Sequence, residues 1–271
     1  MEHLKVAVIQ PNVRANDYTH NLTNVIHMID TCAAEGAKLI SIPEAFATSL
    51  NLPKMKELAQ TEDGEICTRL IERARKHGVH IVAGFIEAAD AKIYSTAVLI
   101  SPDGRIAGKY RRRFIYQLER FFVAEGNDVC IVDTEIGKIG IIMGYDVNFP
   151  ESTREFFRNK VEIIVCPSQI PHTYKNSTRH LAVARATENS CYFILASSCG
   201  QNTIARLTYM GGSIIAQSPV GLESYSTEYT RQKDLLAIAD AEETILYAKL
   251  NMTKIRRELE ENPHFKDFYI S

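Results

Sequence analysis

The chain has 271 residues, 45% of them hydrophobic and 24% charged, with a formal net charge of −2. This is ordinary globular composition, with enough surface to bury a large core. It gives no electrostatic reason to expect nucleic acid or an anionic membrane as partner, and no apolar run approaches the ~20 residues that span a bilayer.

Read in chain order, short apolar runs alternate with longer amphipathic ones. Residues 5–10 ("KVAVIQ") read as a buried strand, and 18–35 as a helix with Leu22, Val25, Ile26 and Ile29 on one face. A strand at 37–44 ends on Pro-Glu, and a helix follows at 64–77. Strands are expected at 80–87 and 95–105, the second closed by a Pro-Asp-Gly turn. Two more strands, "DVCIVDT" and "GKIGIIM", precede a helix near 150–159 and a continuous apolar strand at 161–168. A helix over roughly 174–190 leads to strands at 191–198, 213–219 and 235–241, and a last short helix is expected near 243–259. Strands apolar on both faces and alternating with helices imply an α/β fold with helices layered over sheet. With no linker or repeat, residues 1–271 read as one domain.

The six cysteines show no CxxC spacing and read as free thiols of a reducing compartment. The first residues enter a strand pattern directly, without a signal-peptide layout, so a cytoplasmic location is expected. Nothing in the chain has the spacing of a metal or cofactor motif, and none is expected.

Three places combine a strand end with polar residues. Glu44 closes "ISIPEAF", where Pro43 stops the strand and places the glutamate at its carboxyl end, where α/β folds gather their sites. On spacing alone, a solvated loop glutamate is an equal reading. The second place, 108–128, packs Lys109, three arginines, Glu119 and several aromatics after a strand, a composition equally suited to a basic surface face. The third is "GIIMGYDVNFPE" (140–151), an apolar run delivered to a sharp turn at Gly144, where Asp146 or Asn148 suits a helix cap.

In this order and spacing, "KVAVIQPNV", "GAKLISIPEAF", "SPDGRIAGKYRR", "GIIMGYDVNFPE", "ARATENSCYF" and "GGSIIAQSPVG" resemble the nitrilase superfamily of carbon–nitrogen hydrolases over nearly the whole chain. The resemblance implies a four-layer α-β-β-α sandwich, assembled as a homodimer or larger homo-oligomer, with a small-molecule pocket. It also implies a glutamate base, a lysine that stabilises charge, and a cysteine nucleophile. Glu44 matches the base, and Glu119 matches a second glutamate that positions the substrate. The lysine position falls on Arg112 and the cysteine position on Gly144. Tyr145, Ser168 and His172 fall where the family's pocket is bordered and are candidates for binding substrate.

A glycine offers no atom to attack a carbonyl carbon, and its missing side chain implies a small space beside Glu44. Arg112 keeps the charge, and its planar fork suits a carboxylate or phosphate. Lys109, three positions earlier, would face the other side of a strand and belongs to the surface. Cys166 and Cys199 read as structural thiols, with Cys166 the nearer substitute. Three functions fit: a non-hydrolytic homologue binding a small anionic or amide-like molecule; an enzyme using Glu44 in rearranged acid/base chemistry; or a non-catalytic partner subunit or scaffold.

Overall fold

The computed structural model describes residues 2–218 and 233–261. Its elements, in order, are β1 (His3–Gln10), α1 (Tyr18–Ala34), β2 (Leu39–Ile42), α2 (Met55–Leu58), α3 (Glu65–His77), β3 (His80–Ala89), β4 (Lys92–Ile100), β5 (Ile106–Arg111), β6 (Cys130–Thr134) and β7 (Gly137–Ile141). Then come α4 (Arg154–Arg158), β8 (Ile163–Ser168), α5 (Lys175–Glu188), β9 (Tyr192–Ser197), β10 (Gln201–Asn202), β11 (Leu207–Thr208), β12 (Ile214–Gln217), β13 (Leu235–Ile238), β14 (Thr244–Asn251) and α6 (Met252–Glu261).

Two six-stranded mixed sheets form the middle layers, ordered β14-β1-β2-β3-β4-β5 and β13-β12-β9-β8-β7-β6. In the first, β1, β2 and β3 are parallel neighbours; in the second, β7, β8 and β9 are. The period-2 pleat divides each strand between two cores. Leu4, Val6 and Val8 of β1 meet Ile139, Ile141 and Val165 between the sheets. Ala7 and Ile9 point the other way, onto Val25 and Ile29 of α1 and Leu70 and Ala74 of α3. Ala182 and Ala186 of α5 cover the far face of the second sheet with Phe156 of α4. The layering is α-β-β-α.

The chain departs from its sequence pattern at three elements. Residues 244–251, expected within a helix, form β14, which pairs antiparallel with β1 from His3↔Asn251 to Gln10↔Thr244. The β-branched and aromatic side chains of "TILY" suit a sheet, and the ladder along β1 overrides their helical spacing. Only Met252–Glu261 is helical. Residues 106–111, in a stretch rich in turn residues, form β5, which returns along β4 from the Pro102-Asp103-Gly104 turn. Gly104 supplies the positive φ of +76° that this turn requires. The helix expected near 150–159 is split into a 3-10 turn at Pro150–Ser152 and the short α4. Of the strand expected at 213–219, β12 covers 214–217, and Pro219 lies outside the described residues.

Candidate functional site

The parallel strands of the two sheets bring three chain segments to one rim. β2 runs into Pro43 and Glu44, β5 into Arg112, and β7 into Gly144. Close approach is possible because β3 carries Gly84 beside the turn after β2. A Cβ there would lie 2.6 Å from the Glu44 Cα.

Glu44 is fully buried. Its Oε1 accepts from Arg112 Nη1 at 2.8 Å and from the Ser95 hydroxyl on β4. Arg112, itself 3% exposed, reaches with Nη2 to Glu119 on a 3-10 turn at Gln117–Phe121. The guanidinium therefore lies between two carboxylates, and both of its outer nitrogens are taken. The guanidinium expected to stand ready for an anionic ligand already faces the protein's own acids through Nη1 and Nη2, while its Nε has no partner among the described residues.

Gly144 follows β7 with a left-handed φ of +43°. The space implied by its missing side chain is not open. Glu44 Oε2 lies 2.5 Å from the position a Cβ would take there, and Arg112 Nη1 lies 3.5 Å from it. The turn is held from below by Asp146, whose carboxylate accepts from the Tyr110 hydroxyl at 2.6 Å, the Phe114 N–H at 2.9 Å and the Met143 N–H at 3.1 Å. Burial pushes the Asp146 carboxyl up to about 6, against these donors and the nearby Arg112. Arg185 on α5 donates through Nε to the Val147 carbonyl and through Nη1 to Glu188. Arg185 and Glu188, both in the "ARATENSCYF" stretch, thus brace the turn from outside.

A cavity of about 310 Å³ opens beside this cluster. Arg112, Glu119, Tyr145, Asn148, Gln169 and Tyr209 line its polar side, and Leu50, Leu52, Ile170 and Leu207 its apolar side. Tyr116 and Tyr174 line it as well, joined hydroxyl to hydroxyl at 2.9 Å. Three buried polar atoms near it have no hydrogen-bond partner among the described residues: Glu44 Oε2, Arg112 Nε and Gln169 Oε1. The Gln169 amide is oriented by its Nε2, which donates to the Ala45 carbonyl at 3.4 Å.

The sequence candidates are partly brought together. Glu44, Arg112, Glu119 and Gly144 form one cluster, and Tyr145 lines the cavity. Ser168 is buried with its hydroxyl on the Cys166 carbonyl and sulfur, and His172 is exposed; neither lines the cavity. Gln169 and Tyr174, their neighbours, do. The strand pleat turns alternate residues of 166–169 to opposite sides, which single-residue reading of a loop does not resolve. Ser95, Gln169, Tyr116 and Tyr209 were not singled out from sequence. Ser95 sits in the expected strand 95–105, and its carbonyl accepts from the Arg112 N–H at 2.9 Å, a pairing the sequence reading did not foresee.

Lys109 is exposed and pairs with Glu62 and with the buried Glu87, away from the cluster. Cys166 is fully buried, its sulfur 3.4 Å from the Ser168 hydroxyl, and burial pushes its thiol well above the usual range. Cys199 is also buried and does not line the cavity.

No helix among the described residues is long and apolar enough to cross a membrane. Residues 5–256 match the Carbon-nitrogen hydrolase family. A nitrilase of Pyrococcus abyssi is 30% identical over 230 residues, covering 83% of this chain and 86% of its own. The crystal structure of Saccharomyces cerevisiae Nit3, of the nitrilase superfamily, superposes with a TM-score of 0.84 at 24% identity, over 97% of this chain and 95% of that one. A variant of the amidase from Nesterenkonia sp. AN1, 19% identical with a TM-score of 0.81 over 99% of this chain and 96% of its own, carries the acetamide moiety of fluoroacetamide on its active-site cysteine. With its paired sheets, its clustered acids and a match spanning nearly its full length, this chain belongs to the carbon–nitrogen hydrolase family.

Proposed function

We propose that the chain is a carbon–nitrogen hydrolase homologue that binds a small amide-like molecule without hydrolysing it through a covalent intermediate. The observation that carries this reading is Gly144. It stands on the turn after β7, next to Glu44 and Arg112, where the family resemblance puts the nucleophilic cysteine. Glycine has no atom to form a thioester, and Cys166 behind it is buried with a raised thiol pKa. Arg112 in the lysine position holds its charge permanently and cannot pass a proton.

The same geometry favours an amide over an anion as ligand. Arg112 donates through Nη1 to Glu44 and through Nη2 to Glu119, so an anion would meet a guanidinium already flanked by two acids. Two cavity-lining residues each keep one buried polar atom without a partner, the donor Arg112 Nε and the acceptor Gln169 Oε1, the pair of roles a carboxamide supplies. Leaving such atoms unpaired costs about 1–3 kcal/mol each, which a ligand's own polar atoms would offset.

The test is incubation of the wild-type protein with amides, carbamoyl amines and nitriles, followed by intact-mass spectrometry and product assay. Binding with no adduct and no product is expected. A trapped acyl-enzyme would end this reading.

A second reading has one observation in its favour: the unpartnered, buried Oε2 of Glu44 is free to take a proton from a bound water or substrate. Under it, a non-covalent activity would exist and vanish in Glu44→Gln. Assembly is the remaining issue. Leu118 and Phe121, 64% and 81% exposed beside the cavity, support a homo-oligomer or a partner subunit covering that face. Light scattering showing a strict monomer, alone and with candidate partners, would remove that role.

A further inference from the structure

We propose that Asp146 is a positioning residue of this site: its buried carboxylate fixes where Arg112, and through Arg112 the Glu44 carboxylate, stands against Gly144. The role rests on the reading of that cluster as a binding site, and it applies whatever molecule the cavity takes.

Asp146 is fully buried and does not line the cavity. Its carboxylate bonds straddle Arg112 in sequence. Oδ2 accepts from the Tyr110 hydroxyl, two residues before it, at 2.6 Å, and Oδ1 accepts from the Phe114 N–H, two residues after it, at 2.9 Å. Oδ2 also accepts from the Met143 N–H, one residue before Gly144, at 3.1 Å. One side chain thus clamps the segment that carries Arg112 to the turn that carries Gly144.

An aspartate that served the turn alone would need only the bonds inside it. Those exist: the Asp146 N–H donates to the Met143 carbonyl at 2.9 Å, and the Ser152 hydroxyl donates to the Asp146 carbonyl at 3.0 Å. The bonds to Tyr110 and Phe114 add nothing to the turn. They reach across to β5 of the other sheet and to the segment that leaves it.

The Arg112 backbone is otherwise held elsewhere. Its N–H donates to the Ser95 carbonyl and its own carbonyl accepts from the Gly126 N–H, both at 2.9 Å. Phe114 stacks on Phe149 with centroids 3.8 Å apart, a contact that packs the two segments but fixes no atom by direction. Among the described residues, the hydrogen bonds between 110–114 and 143–146 all end on the Asp146 carboxylate. The tolerance is small, since Glu44 Oε2 lies 2.5 Å and Arg112 Nη1 3.5 Å from the point where a Gly144 Cβ would stand. Supporting bonds hold such sites to within about 0.5 Å, and bonds to an ionised carboxylate are about twice as strong as neutral ones.

The test observes Arg112 itself. Its buried, unpartnered Nε–H gives an NMR signal in full-length protein labelled with 15N-arginine, identified by its loss in Arg112→Lys. Tyr110→Phe keeps the buried ring, and so the fold, and removes one bond of the clamp without changing a charge; Asp146→Asn removes the carboxylate. Both should move the Arg112 signal and speed exchange of its proton with water, by up to about tenfold, the size of one lost hydrogen bond. Leu70→Ala, in the core between α3 and the first sheet, loosens the protein without touching the clamp and should leave the signal in place. A signal unmoved in Tyr110→Phe would overturn the role and leave Asp146 a brace of its own turn. An equal shift and equal exchange in Leu70→Ala would overturn it too, because lost stability alone would then suffice. Neither measurement uses a ligand, so a failure here and a failure of small-molecule binding are read separately.

Discussion

Glu44 Oε2 occupies the place next to Gly144 where a side chain would begin, 2.5 Å from the position of its Cβ. The carboxylate is held there through its other oxygen by Arg112 and Ser95. Glu44, Arg112 and Gly144 are therefore one arrangement: a glutamate pulled across the site and a glycine that leaves room for it.

From this arrangement, Gly144→Cys alone should gain no hydrolysis and lose about 1–3 kcal/mol of stability, through the crowded carboxylate and the left-handed φ of +43°. Gly144→Cys with Arg112→Lys removes the Arg112 Nη1 hydrogen bond to Glu44 and should recover amide hydrolysis if any variant does. Thermal unfolding and product assay of both variants check this. Equal activity in the single and double variants would show that Arg112 does not hold Glu44 in place.

Arg112→Met should be far more damaging than Glu119→Gln. The first leaves Glu44, which is fully buried, without its cationic partner, a change that costs about 3–5 kcal/mol. The second removes an acid that is 13% exposed on its side chain and leaves the Glu44 pair in place. Denaturant midpoints of the two variants measured side by side give the comparison.

Gly84→Ala should destabilise the protein by about 1–3 kcal/mol although alanine suits a strand better than glycine. Its Cβ would lie 2.6 Å from the Glu44 Cα and 3.0 Å from the Met143 methyl, and backbone has little room to yield. A neutral or stabilising result in thermal unfolding would mean that the turn after β2 moves easily.

Asp146 sets a pH dependence. Its folded value of about 6 lies above the ordinary 3.8, so the folded state binds the proton more tightly than the unfolded chain. The favourable contribution of that proton is present below pH ~4 and is lost as pH rises through about 6. Relative to Asp146→Asn, the wild type should therefore lose stability between pH 4 and 6, by an amount on the order of 3 kcal/mol. Parallel denaturant titrations of the two proteins across that window would show a constant gap if the carboxyl were not perturbed.

The layered fold was legible because its strands are apolar on both faces and its helices carry one apolar stripe, as in β8 with every residue buried and α3 with Ile66, Leu70 and Ala74. β14 was not, because "TILYAKLN" carries apolar residues at spacings both periods accept, and only the distant edge of β1 decides between them. The cluster of Glu44, Arg112, Glu119 and Gly144 was legible through motif order. Its geometry was not. Whether Gly144 leaves a hole depends on a χ choice by Glu44, and that choice follows from an ion pair across 68 residues of chain. Gln169 escaped notice for a similar reason: a glutamine beside Ser168 means nothing until the pleat and the Ala45 carbonyl aim it.

The pairing of β14 with β1 has a consequence for how the protein is made. β1 gains one of its two neighbours only when β14, nearly the last described segment, has emerged from the ribosome. Until then β1 has β2 on one side and a bare ladder of N–H and C=O groups on the other, an edge that other chains can join. Such a distant closure also makes folding slow. Nascent chains stalled before residue 244 should thus be the species that chaperones hold and that aggregates when they are scarce.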